Sequence, residues 1–356
     1  MDLIKATGDA EQDGFRAELR AALAAALGNA SLELASVDRR GEGYSWETYL
    51  VSARISPGAN PRVERFAVKR EPSAGLLGTY DVQREVDLLN AAKYVIGCPV
   101  PRVVAFQRRI DGKRGFYVME MIDGVVPMPW NVKKILPDAD VRRGIGLELA
   151  GIMAKLHTTN VERLSIGGMS PPVNPESTGL DETRKWRQVY VESRSSHVPI
   201  LDLAFAWLKY RADAVSGKVS LVHNDLRIGN VIVEKDHVAA VLDWETAEFT
   251  DPSADLAKFN LPTFRGRSTL SSGLIAWSEF LEAYAVVTGW TPTEAALNYW
   301  SVLEIAKTAV GALRGMHFFD SAASNDIRYA NMRWQAHHSI KWLVELFESG
   351  TWGRKR

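Results

Sequence analysis

The chain is 356 residues long, 46% hydrophobic and 24% charged, with 43 Lys plus Arg against 43 Asp plus Glu. That length and apolar fraction describe a globular chain of roughly two domains, and the zero net charge argues against binding nucleic acid by bulk electrostatics, which needs a net basic face. The zero does not hide opposed blocks, since residues 1–123 hold 17 acids and 17 bases, 124–250 hold 16 and 15, and 251–356 hold 10 and 11. Cys98 is the single cysteine, which excludes an intramolecular disulfide and a thiolate metal cluster. No uncharged run exceeds 12 residues, against the roughly 20 apolar residues of a membrane span, and the Ala-rich stretch from Ala21 lacks a basic leader segment. A cytoplasmic protein is expected, with neither a membrane nor a nucleic acid as partner.

In chain order, Phe15, Leu19, Ala22, Leu23, Ala26 and Leu27 recur at helical spacing until Gly28-Asn29 stops them. Runs rich in β-formers follow at 32–37, 48–55, 62–68 and 115–119, with a helix expected at 79–94, where Val82, Val86 and Leu89 share a face. From about Gly124 the pattern turns helical, near 139–158, 181–194, 200–215, 272–287, 293–312 and 326–348. Ten of the 11 Trp fall in this part, as core or as the lining of a groove. The expectation is an α+β chain of two domains, residues 1–123 and 124–356.

The chemistry concentrates in residues 221–257. His223-Asn-Asp225-Leu-Arg227-Ile-Gly-Asn230 runs into the apolar stretch 231–233, and four polar residues then lead to a second apolar stretch, 238–242, ending at Asp243. Two such runs make a hairpin. If Val233 faces Val238, Asn230 faces Val241 and Asp243 sits just past the same end. An amide oxygen and a carboxylate beside a third acid are hard oxygen donors of the kind Mg²⁺ uses when nucleotide phosphates complete its shell.

His-x-Asp-Leu-x-x-x-Asn, followed 13 residues later by an Asp that ends a strand, resembles the catalytic and metal loops of the protein-kinase-like fold. Leu242-Asp243-Trp244-Glu245, with Asp251-Pro252 and Asp255-Leu-Ala beyond, is more similar to the aminoglycoside phosphotransferase and choline-kinase-like family than to protein kinases. The resemblance implies a small antiparallel-sheet lobe with one main helix, which clamps the nucleotide, and a larger helical lobe carrying the catalytic loop and acceptor site. It implies ATP and Mg²⁺ as cofactors, Asp225 as the base that accepts the proton of the attacking hydroxyl, and Asn230 and Asp243 as metal ligands. Arg227 is either a group that neutralises the γ-phosphate or a solvent-facing loop residue. His223 and His157 are read as structural, and Asp255 as a brace for the catalytic loop. Asn224 stands where the family commonly has Gly.

The same resemblance assigns nucleotide contacts in the first third. Gly41-Glu-Gly43-Tyr-Ser45-Trp46-Glu-Thr-Tyr49 resembles the family's Gly-x-Ser-Asn-x-Thr-Tyr phosphate loop, with Trp46 in place of Asn, so Gly43 and Ser45 are phosphate-binding candidates. Lys69, ending Phe66-Ala-Val-Lys, matches the strand lysine that contacts the α- and β-phosphates, and Glu85 is its expected ion partner. Residues 117–124 fit the hinge, with adenine bonding to backbone at Glu120 and Ile122.

Two functions follow: a kinase phosphorylating a hydroxyl of a small molecule, or a pseudokinase that binds nucleotide and serves as an interaction module. The four residues Asp225, Asn230, Asp243 and Lys69 together favour the enzyme. The acceptor is an aminoglycoside or other antibiotic, a hydroxyacyl-CoA as in the phosphotransferase domains fused to some acyl-CoA dehydrogenases, or another alcohol. Lys258, Arg265 and Arg267 are the only charges between Asp255 and Glu279, and with Arg184, Lys185 and Arg187 they are candidates to receive an anionic acceptor.

Overall fold

The computed structural model describes residues 2–41, 45–55, 62–73, 75, 79–194, 197–324 and 326–349. The chain divides into two compact units, Met1–Asn90 with Pro101–Ile122, and Ala91–Val100 with Asp123–Arg356.

The first unit is an antiparallel sheet of five strands, β1 (Glu33–Arg40), β2 (Glu47–Arg54), β3 (Val63–Arg70), β4 (Val103–Gln107) and β5 (Phe116–Glu120), in the spatial order β1-β2-β3-β5-β4. Period-2 alternation sends Tyr49, Val51 and Ala53 of β2 and Phe66 and Val68 of β3 to one face. Helix α1 (Asp2–Ala26) covers that face with Phe15, Leu19 and Leu23, all fully buried. Each such side chain contributes roughly 1.5–3 kcal/mol of burial. Helix α2 (Val82–Asn90) packs on β4 and β5, its first turn capped by Asp81, which accepts the Gln83 amide at 2.8 Å. The helix expected at 79–94 changes character at Ala91, where a π-helical turn, Ala91–Ile96, begins the second unit. Strand β4 was not expected. Flanked by Pro99 and Pro101 and carrying only Ala105 fully inward, it lacks an alternation long enough to read.

The second unit is mainly helical. Its α3 (Val132–Ile135) is a single turn; α4 (Ala139–Thr158) has the expected bounds because Asp138 caps it, accepting the amides of Asp140 and Val141. Then come α5 (Thr178–Ser193), α6 (Pro199–Tyr210), α7 (Ser253–Phe259), α8 (Trp277–Thr288), α9 (Glu294–Asp320) and α10 (Ile327–Glu348). The core gathers around α9, which buries Tyr299, Trp300, Leu303, Ala306 and Val310 against α5, α6, α7 and α10. Helix α9 runs past Ala312 to Asp320, because its packing against α10 outweighs the two glycines, Gly311 and Gly315, that weaken the local helical signal. Among the described residues no helix is long and apolar enough to cross a membrane.

Two short ladders are set into this unit: β6 (Ser220–Val222) pairs with β9 (Glu248–Thr250), and β7 (Val231–Glu234) with β8 (His237–Val241). The β7–β8 hairpin has the expected Val233–Val238 pair, but a bulge between Ile232 and Val233 shifts the rest by one. Val231, not Asn230, faces Val241, and the Asn230 carbonyl accepts the Leu242 amide at 2.8 Å.

Candidate active site

Residues 223–230 connect β6 to β7, and hydrogen bonds hold almost every turn of them. Asp255, fully buried on α7, accepts the His223 amide at 2.9 Å and the Asn224 amide at 2.7 Å. His157 reaches the same carboxylate with Nε2 at 3.2 Å, and its Nδ1 lies 2.9 Å from the Tyr284 hydroxyl. The buried His223 ring accepts the Asp225 amide on Nδ1 and donates from Nε2 to the Leu242 carbonyl, a pairing that assigns its proton to Nε2. The imidazole thereby ties the loop to the strand end beside Asp243.

Asn224 has φ +65°, a left-handed conformation that costs a β-carbon strain and explains why glycine suits this place. Asn tolerates it, and here its buried amide nitrogen donates to the Thr246 carbonyl at 3.0 Å and to Glu248 at 2.6 Å. Asp243 is also left-handed, at φ 60° and ψ 60°, and is exposed at the start of the short 3₁₀ turn Trp244–Thr246. Trp244 is buried, its indole nitrogen donating to the Val241 carbonyl and its ring 4.7 Å from that of His223, so it is core.

Asp225, Arg227 and Asn230 converge. The Asn230 amide nitrogen donates to the Asp225 carboxylate at 2.6 Å and to its carbonyl at 2.9 Å, which leaves the amide oxygen as the acceptor end of that side chain. Arg227 Nε lies 3.2 Å from both carboxylate oxygens, and its guanidinium stacks over Phe264 at 4.8 Å. A β-carbon at Gly229 would meet that guanidinium, so the glycine makes room for it. Lys258 approaches the same carboxylate at 3.6 Å. Burial pushes the Asp225 carboxyl up, but Arg227 and Lys258 outweigh it and hold it below the usual carboxylate range.

Sequence reasoning missed what stands behind Lys258. Its ammonium is 3.2 Å from Glu304 of α9; Glu304 lies 2.7 Å from Lys307, Lys307 3.6 Å from Glu182 of α5, and Glu182 2.7 Å from Lys185. Lys185 then meets Glu248 at 3.0 Å, and Glu248 holds Asn224. A chain of alternating charges thus leaves the loop at Asp225 and returns to it at Asn224. Burial pushes Lys307 down, yet Glu304 and Glu182 hold it above the usual lysine value. Glu248 is pushed up by burial and by Glu182, while Glu182, also raised by burial, is held low by Lys307 and Lys185. Apart from the i,i+3 pairs Glu304–Lys307 and Glu182–Lys185, these contacts join residues 24 to 125 positions apart in sequence, which no local pattern signals.

Of the candidates in the first unit, Gly43 lies outside the described residues, and Ser45 precedes β2. Trp46, where the resembled family loop has Asn, is buried edge-on against Tyr80 and Tyr117, each ring 5.3 Å away, so its indole belongs to the core. Lys69 sits on β3 opposite Thr48 of β2 and Tyr117 of β5. Glu85 is buried on α2. Glu120 ends β5, its amide donating to the Arg102 carbonyl and its carboxylate accepting the Arg102 amide, and Ile122 is the last residue of the unit.

An antiparallel five-stranded sheet with a larger helical unit, and a braced Asp loop running into an Asn–Asp hairpin, define a protein-kinase-like phosphotransferase. The phosphotransferase enzyme family matches residues 36–298, and the chain belongs to it. It is 25% identical over 248 residues to mouse acyl-CoA dehydrogenase family member 10, a match covering 65% of this chain and 22% of that protein, so the chain spans about a fifth of the length of this curated relative. A Ralstonia eutropha protein, assigned provisionally as an aminoglycoside phosphotransferase, superposes with a TM-score of 0.68 at 20% identity over 95% of this chain and 98% of its own. A thermostable mutant of aminoglycoside phosphotransferase APH(4)-Ia, solved with ADP and hygromycin B, gives 0.60 at 13% identity over 93% and 98%. These likenesses are of fold.

Proposed function

We propose that the protein is an ATP- and Mg²⁺-dependent kinase that transfers the γ-phosphoryl group to a hydroxyl of a small molecule. The observation that carries this reading is the convergence of Asp225 and Asn230 with the adjoining Asp243. In the transfer, the acceptor oxygen bonds to phosphorus as the bond to the ADP oxygen breaks, and the hydroxyl proton goes to an Asp225 oxygen. Asn230, through the amide oxygen turned from Asp225, and exposed Asp243 are the hard donors for Mg²⁺, which when bound supplies positive charge against the phosphates. Arg227 adds a cation at the point of transfer. Lys69 paired with Glu85, the residues Gly43 and Ser45, and the backbone at Glu120 and Ile122 hold the nucleotide.

Arg227 and Lys258 both flank the base, so an acceptor with an ammonium group beside its hydroxyl meets like charge. This favours a neutral or anionic alcohol, such as a hydroxyacyl-CoA, over a polycationic aminoglycoside. ADP release measured against aminoglycosides, macrolides, choline, sugars and hydroxyacyl-CoAs, with Asp225→Asn as control, tests the reading. ATP should also raise the melting temperature more with Mg²⁺ than without it. Equal shifts would remove Asn230 and Asp243 as ligands, and ATP binding with no transfer to any acceptor would favour the pseudokinase.

A further inference from the structure

We propose that Lys258 is a positioning residue for Asp225, anchored from behind by Glu304; the proposal rests on the kinase reading of the site. Helix α7 grips the catalytic loop twice. Asp255 holds the backbone of His223 and Asn224, and Lys258, three residues on and so on the same helix face, reaches the Asp225 carboxylate. The two grips act on different atoms, one fixing where the loop runs and the other where its reactive side chain points.

The Lys258 ammonium has little freedom. The residue is 8% exposed, and Glu304, which pairs with it at 3.2 Å, is fully buried and held in turn by Lys307. A flexible four-carbon stem becomes a fixed point charge only when it is anchored on the far side. Arg227, the other cation on Asp225, extends from the loop itself, whereas Lys258 and Glu304 belong to helices of the core. They therefore tie the carboxylate to the packed helices of the unit. A lysine serving only to neutralise Glu304 would not need to approach Asp225, because Lys307 already pairs with Glu304 at 2.7 Å.

The test uses the full chain and ADP release with whichever acceptor of the panel responds, or with water where none does. Lys258→Met alone leaves Asp225 to Arg227 and Glu304 to Lys307, each with one cation fewer, and so mixes lost stability with lost positioning; the informative variants are Glu304→Gln, which frees the ammonium but keeps shape, and Lys258→Met with Glu304→Gln, which removes both partners. The double variant is expected to lose about 10²-fold in kcat with KM for ATP within about twofold, as a misplaced base would. Glu304→Gln should show the same split at smaller size, and Lys258→Arg should restore most of kcat. The proposal is overturned if Glu304→Gln and the double variant keep wild-type kcat, or if their loss lies in KM for ATP. A wild type releasing no more ADP than Asp225→Asn would instead overturn the kinase reading, and this proposal with it.

Discussion

Each unit carries a network of ion pairs, and the two are built differently. In the first, Glu47 lies 3.1 Å from Arg39 and 3.0 Å from Arg114, Glu11 lies 2.6 Å from Arg114 and 3.2 Å from Arg70, and Glu71 pairs with Arg109 at 2.8 Å. In the second, lysines form the links from Asp225 to Glu248. Arginine presents a planar fork that holds several partners at once, and Arg114 uses it to join α1, β2 and the Glu71 carbonyl next to β3. Lysine is a compact point charge, and here each ammonium bridges two carboxylates, so the charges alternate in a line. The arginine network ties elements of a sheet together, whereas the lysine network runs between a reactive carboxylate and the helices behind it. Damage to the first should therefore appear in stability and damage to the second in turnover.

The largest expected separation comes from Asp225→Asn. Removal of the base should lower ADP release by about 10²–10⁴-fold while the ATP-induced rise in melting temperature persists. A variant that lost both together would show that Asp225 shapes the nucleotide site as well as the reaction, and the contrast between the networks would weaken.

Asp255→Asn is the next step down, and it acts on stability because this carboxylate accepts two loop amides and His157. A loss of about 3–5 kcal/mol in urea unfolding is expected for a buried charge-assisted cluster broken on one side. Burial raises the Asp255 carboxyl, but His157 outweighs it, so its folded value lies below the unfolded one of about 3.9. The stabilisation is thus complete above that unfolded value and is lost as pH falls through the lower folded value. The difference between wild type and variant should shrink only below about pH 4; a difference that vanished between pH 6 and 8 would point to a histidine instead.

The sequence made one part of this contrast readable and left the other dark. Asp138 before an apolar run marks the start of α4, and His223 to Asn230 followed by two apolar runs marks the loop and hairpin, because cap, turn and strand signals are local. The bulge at Ile232–Val233 is not local in that sense. It arises from how β7 meets β8, and it moved Asn230 from Val241 to Leu242. Lys258 and Glu304 look like two unrelated charged residues on apolar helices, since only tertiary packing makes them neighbours. Trp46 shows the same limit: it stands in a loop resembling a phosphate turn, yet tertiary packing puts its ring in the core against Tyr80 and Tyr117.

Arg114→Met should mirror Asp255→Asn within the first unit at smaller cost. Two of its acid partners are secured elsewhere, Glu47 by Arg39 and Glu11 by Arg70, so a loss of about 1–2 kcal/mol and unchanged kcat are expected. A fall in kcat with stability intact would place the arginine network in catalysis and collapse the distinction.

The smallest effect offers the most local probe. Cys98 is 3% exposed, and burial pushes its thiol up to about 12, so at pH 8 the native chain should resist iodoacetamide and react only when its segment opens. That segment is joined to the hairpin, since the Pro99 carbonyl accepts the Val241 amide at 2.8 Å, and the hairpin is joined to the loop through His223 and Leu242. Asp255→Asn loosens His223 at its own amide, so it should speed Cys98 labelling, while Arg114→Met, acting within the other unit, should leave the rate near wild type. Equal acceleration in both variants would mean that Cys98 opens only when the whole chain unfolds, and that the loop, hairpin and Cys98 segment have no separate opening of their own.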